Sequence, residues 1–237
     1  MKIVICKHMN IFDGIKMPKT IYEVDSEING KISVVEIGST RKLYVDGMTQ
    51  SVNWDSPNAS KQVWGRLVEN LHDQQPDLVK VMVLGLGGGS MQHLMAKKFP
   101  GIHITSVEID KTMVEVAKKY FALDDLKDHR IIVADALKVI AVPEEFGIPP
   151  QSFQAVVVDI YCGQKYPDLG TSGNFFAGVK NLVVPGGLVV FNRLYLEHHQ
   201  EQVNLFIDSL EGVFSSVKSV IIAGRTNSDN VIVFCRV

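Results

Sequence analysis

Read for the spacing of apolar positions, the chain changes texture at DQQPDL (73–78), a polar turn around Pro76. Before that turn, two short β-like runs stand out, Lys31 to Ile37 and Lys42 to Val45, with Gly38-Ser39-Thr40 supplying turn chemistry between them. A helix is predicted from Pro57 to His72, with Pro57 in the first turn and Ser56 as its cap. After the turn, VKVMVLG (79–85) is a continuous apolar run ending in glycine, the pattern of a strand buried on both faces. A helix to about Lys98 follows, then the strand IHITSVEI (102–109). In KTMVEVAKKYF, Met113, Val116, Ala117 and Tyr120 fall at i, i+3, i+4 and i+7, one helical face. RIIVAD, FQAVVVDIY and GLVVFN (187–192) read as three further strands. Helices fall between them, one around Asn174 to Leu182, and another follows over 197–211. The tail carries two β runs, 217–223 and 230–237, joined by the short loop GRTNSD, so these two should pair antiparallel.

Five strand–helix alternations followed by a hairpin predict an α/β fold. Its sheet is doubly wound, seven-stranded and mostly parallel, with a C-terminal antiparallel hairpin. A small β-lobe over 1–56 precedes the main domain, 57–237. Such a sheet binds ligands at the carboxyl ends of its strands, near the point where strand order reverses. Candidate chemistry is therefore sought just after strands.

With 237 residues, 46% of them hydrophobic, the chain can bury one good core with a small appended lobe. The net charge of -2 gives no basic field for nucleic acid. No apolar run is long enough for a membrane span, and the start is too broken by charge for a signal peptide. Cys6, Cys162 and Cys235 form neither a CxxC pair nor a disulfide framework, which fits a reducing cytoplasm.

Gly85-Leu86-Gly87-Gly88-Gly89-Ser90 follows the first parallel strand and opens a helix. Glycines there allow backbone angles and close approaches that a Cβ blocks, and the helix start offers free N–H groups. A tight turn without a ligand would use the same residues. GxGxG fits fully with Gly85, Gly87 and Gly89. The dinucleotide pattern GxGxxG would place Ser90 where a third glycine belongs. Glu108 ends the second parallel strand about 20 residues on, where a carboxylate accepts from ribose hydroxyls. Asp110 suits the cap of the next helix. Asp135 ends the third strand, and either caps a helix or accepts from an adenine amine. The dinucleotide pattern does not call for it. Asp159 ends the fourth strand and should emerge at the lip of a pocket. Burial would raise its pKa and suit it to take a proton, while a nearby cation would lower it again. Cys162 has no spaced histidine partner and reads as a packing thiol; His198-His199 lacks the spacing of a metal pair, and no metal is expected.

At VLGLGGGS, SVEIDKTMVEVAKKYF, HRIIVADAL and AVVVDIY the chain resembles the spermidine synthase superfamily, within the class I S-adenosylmethionine (AdoMet) methyltransferase fold. The likeness covers 79–237 and, more weakly, LYVDGMTQS (43–51), similar to the family's N-terminal lobe segment. It implies a Rossmann-like methyltransferase sheet with AdoMet or decarboxylated AdoMet held by Gly85, Gly87, Gly89, Glu108 and Asp135. It also implies that Gln50 and Asp55 reach the site from the lobe, and that the protein is a homodimer. Asp159 would face an acceptor amine with Tyr161 beside it, and Tyr161 and Tyr166 would line the acceptor mouth or simply pack.

Several family signatures are altered. GGGDG reads GGGSM, so Ser90 replaces an acid expected to pair with the cofactor's amine. A tyrosine and a histidine–glutamate pair expected after the lobe are absent from NASKQVWGRL. The D-x-x-D-P loop reads Asp159-Ile160-Tyr161-Cys162-Gly163, so Cys162 replaces its second acid. A diamine is dicationic, and each missing charge-assisted contact is worth about 1–3 kcal/mol. The resemblance therefore implies methyl transfer to an amine on a small molecule or a protein. An aminopropyltransferase with a degenerate site, and an inactive binding module, are the rival readings.

Overall fold

The computed structural model describes residues 17–161, 173–195, 200–223 and 229–237. The N-terminal sheet is a four-stranded antiparallel meander: β1 (Lys19–Ser26), β2 (Gly30–Ile37), β3 (Thr40–Val45) and β4 (Met48–Val52). Only β2 and β3 are visible in the apolar pattern. The sequence of β4, MTQSV, has little apolar alternation; its order comes from packing on the main domain rather than from its own composition. Asp46 and Gly47 both take positive φ (46° and 80°), as a two-residue hairpin turn matched to strand twist requires. The lobe's buried Ile32, Val34, Leu43 and Val45 pack on Met113, Val116 and Phe121. Those three residues belong to α3 (Lys111–Phe121) of the main domain.

α1 runs from Val63 to Gln74, not from Pro57. Residues Ala59–Lys61 form a separate 3-10 turn that folds against the helix, so close that a Cβ on Gly65 would lie 2.4 Å from Ser60 O. Ser56 is buried near Thr40 and does not cap α1, whose start has no side-chain cap.

The main sheet has the order β10-β11-β9-β8-β5-β6-β7. The parallel strands are β5 (Lys80–Leu84), β6 (His103–Glu108), β7 (His129–Val133), β8 (Phe153–Val158) and β9 (Val183–Tyr195). β10 (Ser216–Ile222) and β11 (Asp229–Arg236) form the antiparallel hairpin, with β11 paired to β9. The helices are α2 (Ser90–Lys98), α3, α4 (Ala136–Ala141), α5 (Gly173–Leu182) and α6 (Gln200–Glu211). Strand alternation divides the core. Met82 and Leu84 of β5 pack with residues of α4, α5 and α6 on one face, while Val81 and Val83 pack with α1 and α2 on the other. Each such fully buried aliphatic side chain contributes about 1.5–3 kcal/mol. α3 buries more than the single stripe its spacing predicts. Met113 and Val116 face the lobe, Val114 and Ala117 face Leu86 and Leu123, and Tyr120 stays only half-buried against Tyr22. The helix is thus clamped between the two sheets. Among the described residues, no helix is long and apolar enough to cross a membrane.

Candidate functional site

The order reversal lies between β5 and β8, and the glycine turn sits at that point. Gly85, Gly87 and Gly89 all take positive φ (97°, 53° and 77°). A Cβ on Gly85 would lie 2.1 Å from the carbonyl oxygen of Asp159, because the two strand ends converge there. Packing within the protein therefore already demands glycine at that position. The turn's amides are shared out in a telling way. Leu86 N–H donates to Glu108 Oε2 (3.1 Å), Gly88 N–H to Ser51 Oγ (2.8 Å) and Gly89 N–H to Leu86 O (3.0 Å). The Gly87 N–H has no acceptor among the described residues, and Gly87 lines both cavities at this end of the sheet.

Glu108 is 9% exposed, not a solvated loop carboxylate. Burial pushes its pKa up, and the N–H groups of Asp110 (2.9 Å to Oε1) and Leu86 pull it back down. Asp110 caps α3 through Thr112 N–H at 2.8 Å, as its position predicts. It also accepts from Ser26 Oγ (2.6 Å) and Asn29 Nδ2 (2.7 Å) of the lobe. Burial alone would raise the Asp110 pKa; these hydrogen bonds outweigh it and hold the carboxyl below its usual range. The same residue thus starts a helix and pins the lobe next to the cavity. Asp135 caps α4 (Leu137 N–H, 2.8 Å) and, exposed, lines that cavity as well, so capping and a ligand role are compatible.

The first cavity, about 220 Å³, is lined by Gly85, Leu86, Gly87, Glu108, Asp135 and Asp159, with Asn29 and Gln50 from the lobe side. Ile109 and Leu137, both exposed apolar residues, lie at its walls. The second, about 590 Å³, lies between β4, the start of α1 and the ends of β9–β11. The two share Gln50, Gly85, Leu86, Gly87, Asp159 and Tyr161 as a common wall. A third, open groove of about 490 Å³ beside α4 and α5 is lined by prolines and aliphatic residues with Glu144 as its single carboxylate, away from the strand ends.

Asp159 occupies the common wall. Its Oδ1 accepts from Asn192 Nδ2 at 2.7 Å, and the Trp64 indole N–H donates to the same carboxyl. Burial pushes its pKa up to about 6 against the pull of both donors. Asn192 is held in turn: its Oδ1 accepts from Asn230 Nδ2 (2.9 Å) and its backbone oxygen from Tyr161 OH (2.7 Å). Asn192, one of the two donors to this carboxyl, is therefore itself fixed, which orients the carboxyl without neutralising it.

Gly85, Gly87, Glu108, Asp135, Asp159, Tyr161 and Gln50 thus meet at one end of the sheet, whereas Gly89 lines neither cavity: its N–H is taken by Leu86 O and a Cβ there would meet Leu123. Other expectations fail or move. Asp55 does not line either cavity; it is exposed and accepts from Asn53. Ser90, which stands where the family has an acid, takes a structural role: 2% exposed, its hydroxyl bonds both N–H and C=O of Val52 and ties β4 to α2. Cys162, Tyr166 and His198-His199 lie outside the described residues. The thiol of Cys235 is buried and pushed up to about 12, so it is no nucleophile. Trp64, Asn192, Asn230 and Ser51 escaped the sequence reading. Asn192 had the same signal as Asp159, a polar residue at the end of an apolar run. Trp64 had none, because only the tertiary fold brings α1 to β8.

The spermine/spermidine synthase domain matches residues 67–237. The polyamine aminopropyltransferase of Vibrio vulnificus (strain CMCP6) is 25% identical over 143 residues, 60% of this chain and 47% of that protein. The human eEF1A lysine and N-terminal methyltransferase is 31% identical over 120 residues, 47% of this chain and 17% of that protein. The matched region thus spans about half the length, or less, of these curated relatives. Spermidine synthase from Thermotoga maritima superposes with a TM-score of 0.75 at 16% identity, covering 92% of this chain and 72% of that one. Human methyltransferase-like protein 13, in complex with SAH, superposes with a TM-score of 0.57 at 25% identity, covering 76% and 78%. The domain match covers most of the chain: the chain belongs to the spermine/spermidine synthase domain family.

Proposed function

We propose that this chain is an AdoMet-dependent transferase that binds the nucleoside in the smaller cavity and an amine in the larger, with methyl transfer as its reaction. The observation that carries the reading is the common wall. The two cavities meet at a backbone turn with a free amide, Gly87, and at one oriented carboxyl, Asp159.

The residues present suit the nucleoside. Glu108 keeps lone pairs beyond its two amide bonds, enough to accept from both ribose hydroxyls. Asp135 would accept from the adenine amine, with Ile109 and Leu137 against the base. Gln50 lines both cavities and would approach the amino-acid portion from the lobe. Once bound, the sulfonium supplies a carbon already activated for displacement: the amine lone pair makes the C–N bond and the C–S pair returns to sulfur. The protein's tasks are alignment, exclusion of water and proton removal. Asp159, with a pKa near 6, is ionised at neutral pH and would take the acceptor's proton, while Trp64 and Asn192 hold its direction.

Methyl transfer is favoured over aminopropyl transfer by the larger cavity's charge. Asp159 is its one carboxylate among the described residues, whereas a dicationic diamine needs several. Similarity to a polyamine aminopropyltransferase keeps aminopropyl transfer as the second reading. Calorimetric titration with AdoMet, decarboxylated AdoMet and methylthioadenosine separates them. Preference for AdoMet is expected. Preference for the decarboxylated form would establish the second reading, and binding of none would leave an inactive module.

A further inference from the structure

We infer that the larger cavity selects an amine carried on an acidic peptide segment rather than a free polyamine. This rests on the assignment of the smaller cavity to the nucleoside.

The charges of the larger cavity are arranged by sign. Asp159 stands at the wall it shares with the nucleoside cavity, while Lys42 of β3 and Lys61 of the 3-10 turn line it from the lobe and the start of α1. Neither lysine makes an ion pair among the described residues, and no other acidic side chain lines the cavity there. Two ammonium groups without an ion-pair partner among the described residues repel a dication or trication and attract a molecule bearing carboxylates. The single carboxylate then meets one nitrogen. An acceptor that satisfies both signs has an amine with acidic groups a few bonds away.

The neutral part of the lining points to a peptide. Gln92 is 1% exposed and lines the cavity. Its amide nitrogen donates to Ser106 Oγ (3.1 Å), but its Oε1 has no hydrogen-bond partner. That oxygen is itself fully buried, so Gln92 braces the wall through Ser106 rather than meeting a ligand directly. Asn58 and Gln62 add amides that can both donate and accept, as a peptide backbone does. At about 590 Å³, the space suits a short chain segment.

The test is calorimetry on the full chain saturated with S-adenosylhomocysteine, titrated with glycyl-glutamyl-glutamate, its uncharged glutamine analogue and spermidine. The acidic peptide is expected to bind at least about tenfold more tightly than either alternative, with affinity falling as salt rises. The double variant Lys42→Glu/Lys61→Glu should lose about tenfold in acidic-peptide affinity and gain affinity for spermidine, with unchanged S-adenosylhomocysteine binding showing that it is folded. Tighter binding of spermidine to the native chain, no binding of the peptide, or an acidic-peptide affinity unmoved by the double variant would each overturn the inference. Failure of S-adenosylhomocysteine to bind the native chain would overturn the nucleoside assignment instead, and the same peptide titrations on the free chain would then decide the lysines' role.

Discussion

The two cavities that share the wall at Gly85–Gly87 and Asp159 are built on different principles. The smaller cavity, proposed for the nucleoside, is assembled mostly from one end of the sheet: a turn, the ends of four adjacent parallel strands and the first residues of the helices that follow them, with Asn29, Val45 and Gln50 added from the lobe. Its polar groups are backbone amides and carboxylates that also cap helices or brace the turn. Asp135 and Glu108 each serve the fold and line the site. The larger cavity is assembled from afar. It combines β4, the start of α1 and the ends of β9, β10 and β11 around Asp159. Its key contact, Asn192 to Asp159, joins residues 33 apart in sequence, and Trp64 comes from another element altogether. A site made of strand ends inherits its geometry from the sheet. A site made of converging loops and a lobe is free to vary in charge, and among the described residues the larger cavity carries two lysines and one carboxylate.

The largest expected effect strikes the shared wall. Asp159→Asn should lower turnover by about a hundredfold or more while leaving AdoMet affinity within about twofold, as loss of a positioned proton acceptor implies. Unchanged turnover would make Asp159 a structural residue. In the nucleoside cavity, Glu108→Ala should weaken methylthioadenosine binding by at least about tenfold, but it also strips two buried amides of their acceptor at about 1–3 kcal/mol each. Glu108→Gln retains one acceptor oxygen and separates the two effects: a tenfold loss with little change in melting temperature places the ribose on this side chain. Across the wall, Asn192→Leu removes a hydrogen bond that holds the Asp159 pKa down. Native turnover should rise with pH through about 6 as Asp159 ionises. In the variant that midpoint should move upward by about half a unit to one unit, a shift that mere loosening of the fold would not produce.

The smallest effect lies outside both cavities. Burial, with His93 nearby as a lesser cause, lowers the His129 pKa from 6.5 to about 4. The folded chain therefore binds fewer protons than the unfolded chain between those values, and stability falls as pH drops through that window. His129→Gln should flatten this acid limb by up to about 2 kcal/mol, read from urea unfolding at pH 7 and pH 4.5. Catalysis at pH 7.5 should be nearly unaffected.

The same contrast governs how much could be read from the chain alone. The alternation of apolar runs and helical stripes discloses β5 to β9 and the final hairpin, because strands buried on both faces must be apolar throughout. An acid closing such a run is conspicuous, so Glu108, Asp135 and Asp159 stand out. β4 does not, since its order depends on Ser51 and Val52 docking on the glycine turn and on Ser90. α1 starts at Val63 rather than Pro57 because Gly65 lets a 3-10 turn fold back against the helix, a tertiary contact that Pro57 and Ser56 do not signal. That Ser90 ties β4 to α2 is likewise invisible along the chain, because its partner Val52 lies in another sheet. Lys42 and Lys61 look like ordinary surface lysines until the fold sets them around one cavity.

The most direct measurement is a crystal structure of the full chain with AdoMet. The account predicts the ribose hydroxyls on Glu108, the Gly87 N–H engaged by the ligand, and the transferable methyl facing Asp159 and the larger cavity. A nucleoside bound elsewhere, or one whose ribose contacts neither Glu108 nor the glycine turn, would contradict it.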